Sequence, residues 1–331
     1  MKIDSYAHIL PVKFKEALYS SPNVKTWVKK QLEANVGTFD YEVRFRLLDK
    51  YDCVQVLSLV TPPIEDVAGP AEAVDLARRA NDEMAELIYK YPDRFVAAVA
   101  TLPLNDMEAT LKEIDRAINN LKFRGVQIFS SINGKPLDSP EFFPMYEKMA
   151  AYDLPLLIHP VRGSTQADYP GEKDSKYGIW SIFGWPFETT AAMTRLAFSG
   201  VLDKFPGIKF MTHHLGGMAP YFEERIRDAY DMLEMRYPGN IKKGLLRSPV
   251  DYLKMFYADT AINGSLAGTA CGLAFFGPEH VLFGTDTPFD SQLGFRLVRE
   301  QIECIERLDI TEAEKKLIFE GNARRIFRLP I

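Results

Sequence analysis

Eight short apolar segments, separated by stretches of helical period, constrain this chain more than any other feature. They run over residues 3–7, 53–60, 94–101, 125–129, 154–159, 208–212, 255–258 and 281–284. Strands buried on both faces read as unbroken apolar runs, and strands alternating with helices pair in parallel. Eight such units in 331 residues favour a closed barrel over an open doubly wound sheet. We therefore expect one α/β domain over residues 1–331, a (β/α)8 TIM barrel with extra helices at its C-terminal end. Two long segments depart from the βα rhythm. One is a polar and aromatic insertion after the first strand, about residues 11–40. The other is a loop over 161–187 that carries Tyr177, Trp180, Phe183 and Trp185 and is a candidate lid.

Composition narrows the class. Charged residues are 26% and the net charge is −5 with no basic stripe, so nothing points to nucleic acid. No run of about 18 apolar residues spans a membrane. The first strand begins beside Met1, leaving no room for a signal peptide. Cys53, Cys271 and Cys304 are far apart and are expected as free thiols in a reducing cytoplasm. No GxGxxG follows the first strand and no GxxxxGK[ST] occurs, which removes the main support for a nucleotide site.

The chemistry concentrates at strand ends. In Val281-Leu-Phe-Gly-Thr-Asp286-Thr-Pro-Phe289 a carboxylate follows a buried strand directly, where a barrel of this type carries its active site. Taken alone, Asp286 reads as a turn or cap residue. Four of the five histidines also fall at strand ends, namely His8, His159, His213 and His214, and imidazoles gathered with a carboxylate suit a divalent metal. His213 and His214 are neighbours and should point to different sides, so one of the two is expected to serve the chemistry and the other to pack or support. His280 precedes the last strand and reads as surface at the opposite end. Glu188 reads as a favourable acid at a helix N-terminus, and Arg225, in Glu-Glu-Arg-Ile-Arg, as an exposed salt-paired residue.

In order, Ile3-Asp-Ser-Tyr-Ala-His8, Leu157-Ile-His159-Pro160, His214-Leu-Gly-Gly217, Gly284-Thr-Asp286-Thr-Pro-Phe289 and Glu320-Gly-Asn-Ala323 resemble the decarboxylase branch of the amidohydrolase superfamily. The resemblance implies one divalent metal, zinc first and manganese second, at the carboxyl rim of the barrel. His8, His159 and Asp286 match its ligands, and His214 matches a catalytic histidine that is not a ligand. Arg225 matches an arginine that binds substrate carboxylate, in some relatives across a dimer interface, so a homodimer is expected.

Tyr6 departs from the pattern, which has His or Glu there. Residues two apart on a strand share a face, so Tyr6 and His8 look at the same space. A neutral phenol is a poor ligand, and Tyr6 is expected to pack or hydrogen-bond in the pocket floor. Tyr6, Trp180 and Phe289 are expected to contact substrate. The expected activity is decarboxylation of a small aromatic or unsaturated carboxylic acid. Hydrolysis of a lactone or amide, or a hydration, is the alternative on the same parts, and a non-catalytic binding barrel is a third reading.

Overall fold

The computed structural model describes residues 1–22, 24, 26–60, 62–239 and 244–331. The barrel strands are β1 (Lys2–Ile9), β2 (Cys53–Leu59), β3 (Phe95–Ala98), β4 (Val126–Phe129), β5 (Pro155–His159), β6 (Lys209–Thr212), β7 (Tyr257–Asp259) and β8 (Val281–Leu282). Each pairs in parallel with its neighbour within two runs, β1 to β3 and β4 to β8. Parallel bridges join Ala100 to Val126 and Ala7 to Thr287, and these close the ring at both seams. Backbone bonds reinforce the second seam, from Ser5 N to Phe283 O, from His8 N to Thr287 O and from Asp286 N to Tyr6 O.

The main core lies between the strands and the outer helices, of which the longest is α5 (Pro70–Lys90). A smaller cluster fills the barrel interior. There Ile3, Val56, Val99, Leu157, Met211 and Leu282 pack with Phe327 and Ile326 from the C-terminal end of the chain. One extra residue in β1, between Asp4 and Ala7, shifts its register against β2. A bulge of this kind re-aims the side chains beyond it. Ile3 packs in the interior cluster, while Tyr6 and His8 both face the imidazoles above.

The insertion after β1 is ordered rather than a loop. It forms α1 (Val12–Ser20), α2 (Thr26–Ala34) and a short turn at Val36–Thr38. Phe14, Leu18, Val28 and Leu32 bury against Leu59, Ile64 and α5, so apolar spacing in what reads as a polar stretch is sufficient to dock both helices. The candidate lid is also partly helical, with α3 (Ile179–Ile182) followed by α4 (Gly184–Phe198). A helix after the sixth strand runs from Glu223 to Arg236 as α5′. A short helix at Pro249–Leu253 and a small hairpin, Ser131–Ile132 with Lys135–Pro136, have no counterpart in the sequence reading. All three cysteines are free. Among the described residues no helix is long and apolar enough to cross a membrane.

Candidate active site

β1, β5, β6 and β8 deliver their carboxyl ends to one place. His8 Nε2 lies 3.3 Å from Asp286 Oδ1, and His214 Nε2 lies 3.5 Å from Asp286 Oδ2. The His159 ring is 5.2 Å from that of His8. Phe289 stands 5.4 Å from the His8 ring. Among the described residues no three His, Cys, Asp or Glu side chains form a ready-made metal-binding group. The expected ligand trio is therefore a close pair, His8 with Asp286, and a third imidazole alongside.

Hydrogen bonding engages two of the imidazoles at Nδ1. Ser58 Oγ stands 3.3 Å from both Ala7 O and His8 Nδ1. The carbonyl of Pro160 only accepts, so His159 Nδ1 donates to it at 2.7 Å. His159 Nε2 therefore carries a lone pair. His8 Nε2 has no hydrogen-bond partner among the described residues although a carboxylate oxygen is 3.3 Å away. A buried ring nitrogen left without a partner beside a carboxylate is an arrangement a cation resolves. An imidazole with its other nitrogen engaged is also the usual form of a metal-binding histidine. The donor set thus fits a divalent ion in its chemistry.

The charges agree with this. Burial would raise the Asp286 carboxyl, but the nearby imidazoles of His214 and then His8 outweigh it and hold the group well below the usual carboxylate range. Burial, then the charges of His8 and His213, pushes His159 far down and keeps it neutral. Burial also opposes charging of His214, yet Asp286 and Asp259 raise it above the ordinary imidazole value. A proton shared between His214 and Asp286 is what this pair is built to hold.

Tyr6 is wholly buried and sits among the imidazoles. Its ring lies flat on His213, 3.6 Å between centroids and 12° between planes, and edge-on to His8 at 4.6 Å. Burial, and then the charges of Asp286 and Asp259, push its phenol well above 10, so it stays neutral. Its hydroxyl has no hydrogen-bond partner among the described residues.

A fully buried arginine sets the height of β1. Arg44 donates to His8 O, to Gly37 O at 3.0 Å and to Gln55 Oε1 at 2.9 Å. Gln55 Nε2 passes the link to Asp4 Oδ2 at 3.2 Å, and Asp4 accepts from Thr285 Oγ1 at 2.6 Å and Thr285 N at 3.1 Å. This network ties the residue that carries the His8 imidazole to the neighbour of Asp286. Burial raises the Asp4 carboxyl to about 7 against these bonds.

His214 opens a turn of four left-handed residues, with φ of 54°, 54°, 75° and 64° at His214, Leu215, Gly216 and Gly217. Asp286 is left-handed as well, at 61°. Such conformations in non-glycine residues cost on the order of 1–3 kcal/mol and persist where the surroundings impose them. Gly216 has to be glycine for a second reason, since a Cβ would meet Phe276 Cζ at 2.6 Å.

The remaining expected residues divide. Trp180 lies in the candidate lid but touches Trp185, at 5.4 Å, rather than the imidazoles. Trp185 is the ring that faces them, 6.0 Å from His159 and parallel to His214 within 18° at 6.4 Å. Nothing in the sequence separates these two tryptophans. Glu188 lies in the second turn of α4, not at its start, and pairs with Arg162 at 3.2 Å. Arg225 is exposed on α5′, far from burial in its own chain. His280 is half-buried, stacked on Tyr257 at 4.5 Å, rather than free on the surface. Asp259, Arg44 and Asp4 were not singled out by sequence. Asp259 ends a strand as Asp286 follows one, so the same signal applied to it.

A parallel barrel that gathers imidazoles and a carboxylate at its carboxyl rim defines an enzyme of the metal-assisted barrel class. Comparison with known proteins narrows this. The Amidohydrolase family pattern matches residues 4–329, and the chain belongs to that family. It is 33% identical over 299 residues to the gamma-resorcylate decarboxylase of Polaromonas sp., covering 86% of each chain. It is 29% identical over 350 residues to 2-amino-3-carboxymuconate-6-semialdehyde decarboxylase of Dictyostelium discoideum, covering 98% of this chain and 90% of that one. A dihydroxybenzoic acid decarboxylase from Polaromonas sp., solved with manganese and 2-nitroresorcinol, superposes with a TM-score of 0.80 at 28% identity, over 99% of this chain and 96% of that chain.

Proposed function

We infer that this protein is a metal-dependent carboxy-lyase that removes carbon dioxide from a small hydroxylated aromatic acid. The observation that carries the reading is the His8–Asp286 pair, 3.3 Å apart with the His159 ring alongside, beside a His214 raised above its ordinary value. His8, His159 and Asp286 would hold the ion, and Tyr6 would leave the family's fourth protein position unfilled. When bound, the ion supplies positive charge that orients and neutralises substrate oxygens. Borderline nitrogen and hard oxygen donors suit zinc and manganese alike, and the metal content of protein purified without added metal decides between them.

The chain's own groups do the rest. Loss of carbon dioxide leaves a ring carbon that has to take a proton, and the His214–Asp286 pair holds one at His214 Nε2. Trp185, parallel to His214, and Phe289, beside His8, favour a flat ring. Arg225 would meet the substrate carboxylate only from a second copy of the chain. Its helix α5′ has no buried residue, and Tyr221 just before it is exposed, which supports a homodimer. Three free cysteines suit a cytoplasmic enzyme.

The test is carbon dioxide release from 2,6-dihydroxybenzoate and related hydroxybenzoates, with chelated and with metal-loaded protein. Release that needs metal and disappears in His214→Asn supports the reading. Hydrolysis of a lactone without release of carbon dioxide would move the site to the hydrolase reading. A monomer by light scattering at micromolar concentration would remove Arg225 from the site.

A further inference from the structure

Two adjacent histidines stand at the end of β6, and only one of them faces Asp286. The structure gives a physical cause. Asp259, fully buried at the end of β7, accepts from His213 Nδ1 with Oδ2 at 2.5 Å. Its other oxygen accepts from the backbone N–H of His214 at 3.1 Å and of Ala261 at 2.9 Å. One carboxylate thus grips the side chain of the first histidine and the backbone of the second.

We propose that Asp259 is a positioning residue that sorts this pair, drawing His213 into the barrel floor against Tyr6 and aiming His214 at Asp286. The proposal rests on the decarboxylase reading for its activity readout, but not for its geometry. His214 is the first of four left-handed residues, and a peptide so disposed needs a fixed acceptor for its N–H. The bond from His214 N is that anchor. The bond to His213 Nδ1 keeps the first imidazole off the rim and flat on Tyr6, 3.6 Å away. Gly284 makes the approach of these groups feasible, since a Cβ there would stand 2.7 Å from Asp259 Cβ and 3.1 Å from Tyr6 Cβ. Asp259 is fully buried and holds the His214 backbone directly, so its effect passes through His214.

Three variants of the metal-loaded enzyme test this. Asp259→Ala removes both grips. Asp259→Asn keeps an oxygen for the backbone N–H groups but offers an N–H to His213 Nδ1, which forces the opposite tautomer. His213→Phe keeps a flat ring on Tyr6 and leaves the His214 anchor in place. We expect kcat to fall about a hundredfold or more in Asp259→Ala and about tenfold in Asp259→Asn, with KM within about threefold and metal content unchanged. His213→Phe should stay within about threefold of wild type. The short His213–Asp259 bond should also give wild type a strongly low-field imidazole proton resonance, absent from Asp259→Asn and His213→Phe. Asp259→Asn with wild-type kcat, or His213→Phe as impaired as Asp259→Ala, would overturn the proposal. Absence of the low-field resonance from wild type would overturn it without any variant. A wild type that releases no carbon dioxide from any acid tried would instead sink the decarboxylase reading, leaving the resonance to judge the clamp.

Discussion

Tyr6 and His213 lie face to face, 3.6 Å between ring centres and 12° between planes, at the floor of the barrel. The stack holds a phenol whose hydroxyl has no partner among the described residues. A buried hydroxyl of that kind loses its hydration and regains nothing. Tyr6→Phe should therefore keep the stack and leave stability unchanged or raise it by about 1 kcal/mol in urea titration. A loss of 2 kcal/mol or more would mean that the hydroxyl is bonded in the folded protein.

Tyr6→His tests the same position from the metal's side. Residue 6 shares its strand face with His8, ring to ring at 4.6 Å, so an imidazole there faces the proposed ligands. Metal affinity of the apo protein should rise tenfold or more, about 1.4 kcal/mol per decade. The smaller ring leaves space against His213, and stability should fall by about 1–2 kcal/mol. Equal affinities for wild type and variant, measured by competition with a chelator, would mean that residue 6 does not reach the ion.

Asp286→Asn removes the charge that His8 and His214 share. We expect decarboxylation to fall by a hundredfold or more, and the rise in Tm that manganese or zinc gives the wild type to disappear, because ligand-linked stabilisation follows occupancy. A variant that still shows the full metal-induced shift would place the ion elsewhere.

Gly272→Ala acts at a distance. Leu215, second residue of the left-handed turn, fills the notch at Gly272, and a Cβ there would collide with the Leu215 side chain. Overpacking of this kind costs about 1–3 kcal/mol. Because His214 precedes Leu215 directly, kcat should fall together with stability, and Leu215→Ala in the same chain should restore part of both. Wild-type kcat in Gly272→Ala would mean that the turn absorbs the methyl without moving His214.

Stability should also fall toward alkaline pH through Glu65. This residue is buried beyond β2, and neither carboxylate oxygen has a hydrogen-bond partner among the described residues. Burial raises its carboxyl from 4.5 to about 8. The fold therefore holds the protonated form. Its contribution is complete below about 4.5 and is lost as pH rises through about 8, at up to about 1.4 kcal/mol per unit. Glu65→Gln should flatten stability between these values and be more stable than wild type at pH 8. Parallel profiles for the two proteins would show that Glu65 finds a partner.

By itself the sequence determined the barrel and which residues emerge at its carboxyl rim. Continuous apolar runs can be buried only as parallel strands, and residues just past such runs have to emerge at the carboxyl rim. His8, His159, Asp286 and the pair His213 and His214 were legible for that reason. Asp259 sat within reach of the same rule. Helices α1 and α2 were not legible, because the residues they bury match an apolar groove made by β2 and α5, distant in the chain. Only the tertiary structure decided which tryptophan of the 161–187 segment faces the imidazoles and which histidine of the pair faces Asp286. Local spacing says that His213 and His214 point apart, but not which way. That choice belongs to Asp259, 45 residues further on, whose carboxylate reaches both only after β6 and β7 have paired.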